Sequence, residues 1–179
     1  MSVPRLDPMP ADRPLTLRSA RTQDVPVIQA LVEPLARERV LLQKEAVAYY
    51  EAIQEFVVAE EADGTLAGFG ALHVMWQDIA EVRTLAVSEA HRGAGVGHLL
   101  IEELLDRARA VGVERVFCLT FEVEFFRRHG FEVMADQSAV DPEVYAELLR
   151  STDEGVAEFL DLARVKPNTL GNTRMIRRL

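Results

Sequence analysis

Arg92-Gly93-Ala94-Gly95-Val96-Gly97 separates an extended apolar run, Val82 to Val87, from an amphipathic one, Val96 to Val111. A glycine-rich turn between a strand and a helix leaves backbone amides free of side-chain cover. Those amides, with the positive end of the helix dipole, suit a phosphate group. Arg92 beside them adds charge-assisted hydrogen bonds. Taken alone, the same six residues also describe a tight connection with no ligand, because short glycine patterns recur by chance. The surrounding chain has to decide.

A strand, a glycine turn and a helix also begin a dinucleotide-binding unit, but the spacing does not fit. Gly93, Gly95 and Gly97 read G-x-G-x-G, and His98 stands where a third fingerprint glycine belongs. No acidic residue stands clearly at the end of a second strand about twenty residues on. The turn also follows an antiparallel run of strands in mid-chain.

Working outward, Pro14 to Ala20 alternates as a half-buried strand does. Thr22 is a candidate N-cap for a helix from Asp24 toward Arg37, with Pro26 near its start. A second helix is expected over Lys44 to Gln54. Phe56 to Glu60 and Leu66 to Trp76 read as strands, joined by the hairpin chemistry of Ala62-Asp63-Gly64. Glu81 to Val87 is the next strand. After the turn, Val96, Leu99, Leu100, Leu104, Ala108 and Val111 fall on one helical face. Gly112 ends that helix, and Arg115 to Phe121 reads as a buried central strand. A short helix runs to His129, Gly130 suits its C′ position, and Phe131 to Met134 resumes as strand. Helices follow from Asp141-Pro142 and over Asp153 to Leu162. Arg174 to Leu179 closes as a strand.

The 179 residues fit one domain with a proper core, 15–179, behind a loose tail, 1–14. The four prolines and absent h-region of that tail do not make a signal peptide. No apolar run is long enough to span a bilayer. Cys118 is the single cysteine, which fits a reducing, cytoplasmic setting. It lies in an apolar strand and reads as an inert core thiol. A net charge of −9 argues against nucleic-acid binding. Positive charge is instead local: Arg164, Lys166, Arg174, Arg177 and Arg178 stand in a C-terminal stretch without Asp or Glu. The four histidines have no metal-site spacing, so no metal is expected.

The chain resembles the GNAT acyl-coenzyme A transferases. Their (Arg/Gln)-x-x-Gly-x-(Gly/Ala) signature is matched by Arg92 to Gly97. A second signature, two aromatics followed by Gly-Phe, appears as Phe125-Phe126-Arg127-Arg128-His129-Gly130-Phe131. The order β-α-α-β-β-β-α-β-α-β, then helices, then β, is similar as well. This implies an α/β fold with a mixed, mostly antiparallel sheet, splayed at an acetyl-CoA site and flanked by helices.

Within that family, Leu41-Leu42-Gln43-Lys44, Phe69-Gly70-Ala71-Leu72, Glu81 to Val87, Phe117-Cys118-Leu119-Thr120 and Gly171-Asn172-Thr173-Arg174 are similar to amino-acid N-acetyltransferases. These are the N-acetylglutamate synthases that open arginine biosynthesis. The likeness over Leu15 to Leu179, including Val156 to Leu162 and Val165-Lys166-Pro167-Asn168, is to their short actinobacterial form. Longer members carry an arginine-binding kinase-like domain. The expectation here is a chain without it and without feedback control through it.

The resemblance implies transfer of acetyl from acetyl-CoA to the α-amine of glutamate. Gly93, Ala94, Gly95, Val96, Gly97 and His98 would hold the pyrophosphate through main-chain amides, with Arg92 as charged partner. Leu85, Ala86 and Val87 would bond the pantetheine arm, and one of their amides would polarise the acetyl oxygen. Glu81 is the general-base candidate. Many members place a tyrosine, as general acid, where this chain has Phe126, which is read as apolar packing near the cofactor arm. A coenzyme A thiol with a pKa of about 8.5 leaves with limited help. Thr120 or a water it positions is the first candidate helper, and Tyr49, Tyr50 and Tyr145 are weaker ones. Lysine is scarce, with Lys44 and Lys166 against eighteen arginines. Lys44 aligns with a substrate-binding position, and Arg83 has the parity to share a strand face with Glu81 and Leu85. Asn172, Thr173 and Arg174 complete the acceptor set. Gly171 replaces an arginine of the longer forms, a loss that favours glutamine over glutamate. Another amine acceptor, a non-catalytic acyl-CoA sensor and a homodimer stay open.

Overall fold

A computed structural model of the chain describes residues 14–41, 44–134, 140–160 and 171–179. The expected tail lies outside them except for Pro14, as do Leu42, Gln43, Arg164, Val165, Lys166, Pro167 and Asn168. The strands are β1 (Thr16–Ser19), β2 (Phe56–Glu60), β3 (Leu66–Trp76), β4 (Ile79–Val87), β5 (Arg115–Thr120), β6 (Glu132–Val133) and β7 (Thr173–Arg178). The helices are α1 (Val25–Arg37), α2 (Ala46–Glu51), α3 (Val96–Val111), α4 (Val123–Arg128), α5 (Pro142–Leu148) and α6 (Glu154–Phe159). The expected α/β order is the observed one.

All seven strands form one sheet in the order β1-β2-β3-β4-β5-β7-β6. Pairing is antiparallel except between β4 and β5. That parallel pairing spans only Ile79↔Arg115, Ala80↔Val116 and Glu81↔Phe117. Beyond Glu81 the two strands part, and this gap is the splay the resemblance implies.

Helix α3 lies across β1 to β4 on one face. Its core takes in Val57, Leu72, Val82, Val116, Cys118 and Met175. On the other face α1 and α2 cover Phe56, Val58 and Phe69. Further along that face α5 and α6 cover Met75, Ile79 and Phe117.

The expected apolar stripe of α3 needs correction. Leu99 and Val111 are exposed, whereas Ile101 and Leu105 are fully buried. The helix spans four strands, so its buried face is widened toward β1 and β2.

The helix starts are also revised. Thr22 opens a short 3-10 turn, Thr22–Asp24, and makes no side-chain cap. Asp24 does that work: it accepts the Arg21 N–H at 2.7 Å and the Arg18 guanidinium at 2.7 Å. The second helix stops at Glu51 and continues as a 3-10 turn over Ile53–Glu55. Phe121 lies past the end of β5 and is exposed.

One irregularity reorganises β4. Between Phe69↔Ala86 and Ala71↔Arg83, β4 has two residues opposite the single Gly70. Thr84 in this bulge has φ +55°, an outlier for a β-branched residue. A Cβ at Gly70 would lie 2.9 Å from both Leu85 Cδ1 and Leu104 Cδ1, so glycine lets the bulge sit against β3. The bulge reverses the alternation. Val82 packs on the α3 face before it, and Leu85 and Val87 do so after it. Leu85 therefore does not share a face with Glu81 and Arg83, contrary to the parity argument.

Candidate active site

The glycine turn connects β4 to α3 as expected. Gly93 and Gly95 adopt φ +78° and +82°, and a Cβ at either meets nothing within 4 Å. Their requirement is therefore the left-handed backbone. Gly97 is different: a Cβ there would lie 3.3 Å from the Phe125 ring. Its role is to seat Phe125 on the first turn of α3. The amides of Val96, Gly97 and His98 belong to that first turn and have no intrahelical acceptor. Ala94 N–H is used within the turn, bonding His91 O at 3.2 Å. Arg92 is exposed beside these groups.

Two side-chain chains brace the turn, and neither was legible in the sequence. His91 bonds Ser88 Oγ at 2.7 Å and the buried Glu61 at 2.6 Å. His98 Nδ1 bonds His129 Nε2 at 2.7 Å, and His129 Nδ1 bonds Glu102 at 2.7 Å. His98 also stacks obliquely on Phe125.

Glu81 sits where the parallel pairing ends. It is buried, and its Oε2 has no hydrogen-bond partner among the described residues. Burial pushes its pKa up to about 7; the nearby positive charge of Arg83 opposes that rise and Asp153 adds to it. Arg83 Nη1 is 3.8 Å from Glu81 Oε2, but its hydrogen bonds go elsewhere. They reach Asp153 at 2.9 Å and Glu55 at 3.0 Å. His73, directly across the ladder from Glu81, bonds Glu55 at 2.8 Å. Arg83 is thus an internal counter-ion of this cluster.

Lys44 lies in the same field. Burial lowers its pKa, Arg83 pushes the same way, and Glu81, Asp153 and Glu55 pull against them. It makes no ion pair with any described residue. Glu55, His73 and Asp153 were missed as site residues, because each belongs to a different element. Asp153 had a sequence signal only as a helix start, and it does cap α6, accepting Val156 N–H at 3.1 Å.

Across the gap, Thr120 is buried at the end of β5, and its Oγ1 accepts the Glu122 N–H at 2.8 Å. The hydroxyl proton stays available to donate. By strand alternation Thr120 shares the α3 face with Val116 and Cys118, while Glu81 faces α6. The two candidates therefore flank the splay from opposite faces. Thr173 pairs with Thr120 in the ladder. Asn172 Oδ1 and Arg174 Nε are buried without hydrogen-bond partners among the described residues. Arg174 also donates to the Phe159 carbonyl at the end of α6.

Phe126 is buried edge-on between Phe125 and Phe131. The Cys118 thiol is pushed up by burial and then by Glu81, which suits a core residue. Among the described residues no group of three or more His, Cys, Asp or Glu is placed to hold a metal, and no helix is long and apolar enough to cross a membrane.

Known proteins resemble this chain in sequence and in fold. The sequence profile of the acetyltransferase (GNAT) family matches residues 27–131. An amino-acid acetyltransferase of Mycobacterium tuberculosis is 52% identical over 169 residues, 93% of this chain and 96% of that protein. The crystal structure of Rv2747 from M. tuberculosis, in complex with CoA and NLQ, superposes with a TM-score of 0.86 at 52% identity, covering 92% of this chain and 99% of that one. N-acetylglutamate synthase from Neisseria gonorrhoeae, complexed with coenzyme A and N-acetyl-glutamate, superposes with a TM-score of 0.74 at 28% identity. There the match covers 92% of this chain but 35% of the larger one.

Proposed function

The chain belongs to the acetyltransferase (GNAT) family, and from that premise we propose that it transfers acetyl from acetyl-CoA to the α-amine of L-glutamate, the opening step of arginine biosynthesis. The observation that carries the reading is Glu81: a buried carboxylate raised to about 7, at the end of the β4–β5 pairing, with the Lys44 ammonium, which pairs with none of the described residues, in its field. The close likeness to an amino-acid acetyltransferase over nearly the whole chain supports it.

In this reading acetyl-CoA enters the splay with its pyrophosphate on the amides of Gly93, Gly95, Val96, Gly97 and His98 and on Arg92, while Ala94, whose N–H is held by His91 O, contributes only a small side chain. The pantetheine arm runs along Leu85, Ala86 and Val87, and one of their amides polarises the thioester carbonyl. Phe126 supports that wall from the core behind it. Glu81 takes a proton from the substrate ammonium, and the freed amine nitrogen attacks the carbonyl carbon. The C–S bond breaks, and the second proton of the attacking nitrogen passes to the departing thiolate through the Thr120 hydroxyl or a water held there, which gives up one proton as it takes another, leaving the neutral amide and the free thiol. Lys44 receives a substrate carboxylate. Asn172, Thr173 and Arg174 line the far side, and Arg83 holds the acidic residues in place.

Glutamine is a second reading, favoured by the charge count: with Arg83 committed to Glu55 and Asp153, Lys44 is, among the described residues in the field of Glu81, the cation left for a carboxylate. Thiol release from acetyl-CoA over a panel of amino acids separates the two. Glu81→Ala is expected to lose about 100-fold or more in turnover with acetyl-CoA binding kept. Near-normal turnover in that variant overturns the mechanism, and no turnover with any amine overturns the activity.

A further inference from the structure

Gly155 is the second residue of α6, and its backbone faces the Glu81 carboxylate. A Cβ at Gly155 would lie 2.7 Å from Glu81 Cδ, closer still to Oε2, and 3.0 Å from Asp153 Oδ1. The carboxylate occupies the space that any side chain at 155 would take. Gly155 does not have a positive φ, unlike the glycines of the turns. Glycine inside a helix is unfavourable relative to alanine. The backbone therefore has no use for glycine at this position, and the requirement comes from Glu81.

The helix that presents Gly155 is held at both ends. Asp153, just before it, pairs with Arg83 at 2.9 Å. Val156, Phe159 and Leu160 are buried with Met75, Ile79 and Phe117. The Phe159 carbonyl accepts from Arg174. A methyl at 155 would thus meet a pinned helix on one side and a rotatable carboxylate on the other, and the carboxylate would give way.

We propose that Gly155 is a positioning residue for acetyl transfer: its missing side chain lets α6 close against Glu81 and fixes where Oε2 meets the acceptor amine. The inference rests on Glu81 being the base. Arg174 takes a part here as well, since it anchors the far end of the same helix.

The test is a double-mutant cycle followed by steady-state kinetics over pH. Gly155→Ala is expected to lower kcat by about 10- to 100-fold, with the dissociation constant for acetyl-CoA unchanged and the acidic limb of the kcat/KM profile displaced. In a Glu81→Ala background the same substitution is expected to add no further loss. An unchanged kcat and pH profile in Gly155→Ala, or an equal loss in both backgrounds, overturns the inference and leaves the base reading standing. Near-normal turnover in Glu81→Ala alone overturns both. If Gly155→Ala does not fold, the pair with Glu81→Ala should regain the Tm of Glu81→Ala alone, and a pair that stays unfolded overturns the inference.

Discussion

At the scale of single residues, Glu81 and Lys44 do opposite work with the same physics. Burial favours the neutral form of each, raising the carboxylate and lowering the ammonium. For Glu81 that places a carboxyl group near neutrality, well above its ordinary range. For Lys44 it leaves a partly desolvated cation that gains from a substrate carboxylate. Lys44→Met is therefore expected to raise the KM for the amino acid by about tenfold or more, the cost of an unpaired buried carboxylate, while the KM for acetyl-CoA stays put. Equal increases in both constants would show that Lys44 supports the fold and not the acceptor. Both residues were legible as candidates from residue type and family likeness. Arg83 was legible too, but not its commitment to Glu55 and Asp153. Those partners come from the 3-10 turn before β2 and the start of α6, 28 and 70 residues away in the chain.

At the scale of elements, the glycine turn and the β4 bulge are two backbone devices on either side of one strand end. The turn uses glycine where φ is positive; the bulge uses Thr84, which pays in strain. The bulge turns Leu85 and Val87 toward α3 while Glu81 and Arg83 stay toward α6. The strand thus presents Glu81 and Arg83 on one face and packs Leu85 and Val87 on the other. Gly95→Ala meets open space, so its effect is backbone strain alone, about 1 kcal/mol. Either the strain is retained and Tm falls by a few degrees, or the turn relaxes and the KM for acetyl-CoA rises. Thermal melts with and without acetyl-CoA, set beside kinetics, read both, and a variant with neither change would remove the left-handed turn from the account. Strand and helix extents were largely legible, since β2, β3 and α3 lie where period and turn residues put them. The bulge was not, because alternation is read by assuming every residue pairs.

At the scale of the whole molecule, the buried Glu81 carboxylate has a cost in stability. The folded pKa of Glu81, about 7, lies above its ordinary value of 4.5. A carboxylate raised on folding contributes stability that is full below pH 4.5 and is lost as pH rises through 7. Glu81→Gln cannot ionise, so it is expected to be more stable than wild type at pH 8, by about 3 kcal/mol at most, and to match it near pH 4.5. Urea unfolding at the two pH values measures this, and a gap that does not widen with pH would place the Glu81 pKa in the ordinary range. By itself the sequence determined the order of elements, the glycine turn between strand and helix and the family, because these rest on local periodicity, backbone freedom and short motifs that need only neighbouring residues. Only the tertiary structure decided how the site is built. The end of the β4–β5 pairing at Glu81, the reversal of faces at Thr84, the capture of Arg83 and the fit of Gly155 against the carboxylate all depend on register and close approach between strands and helices far apart in the chain, and no local pattern encodes those distances.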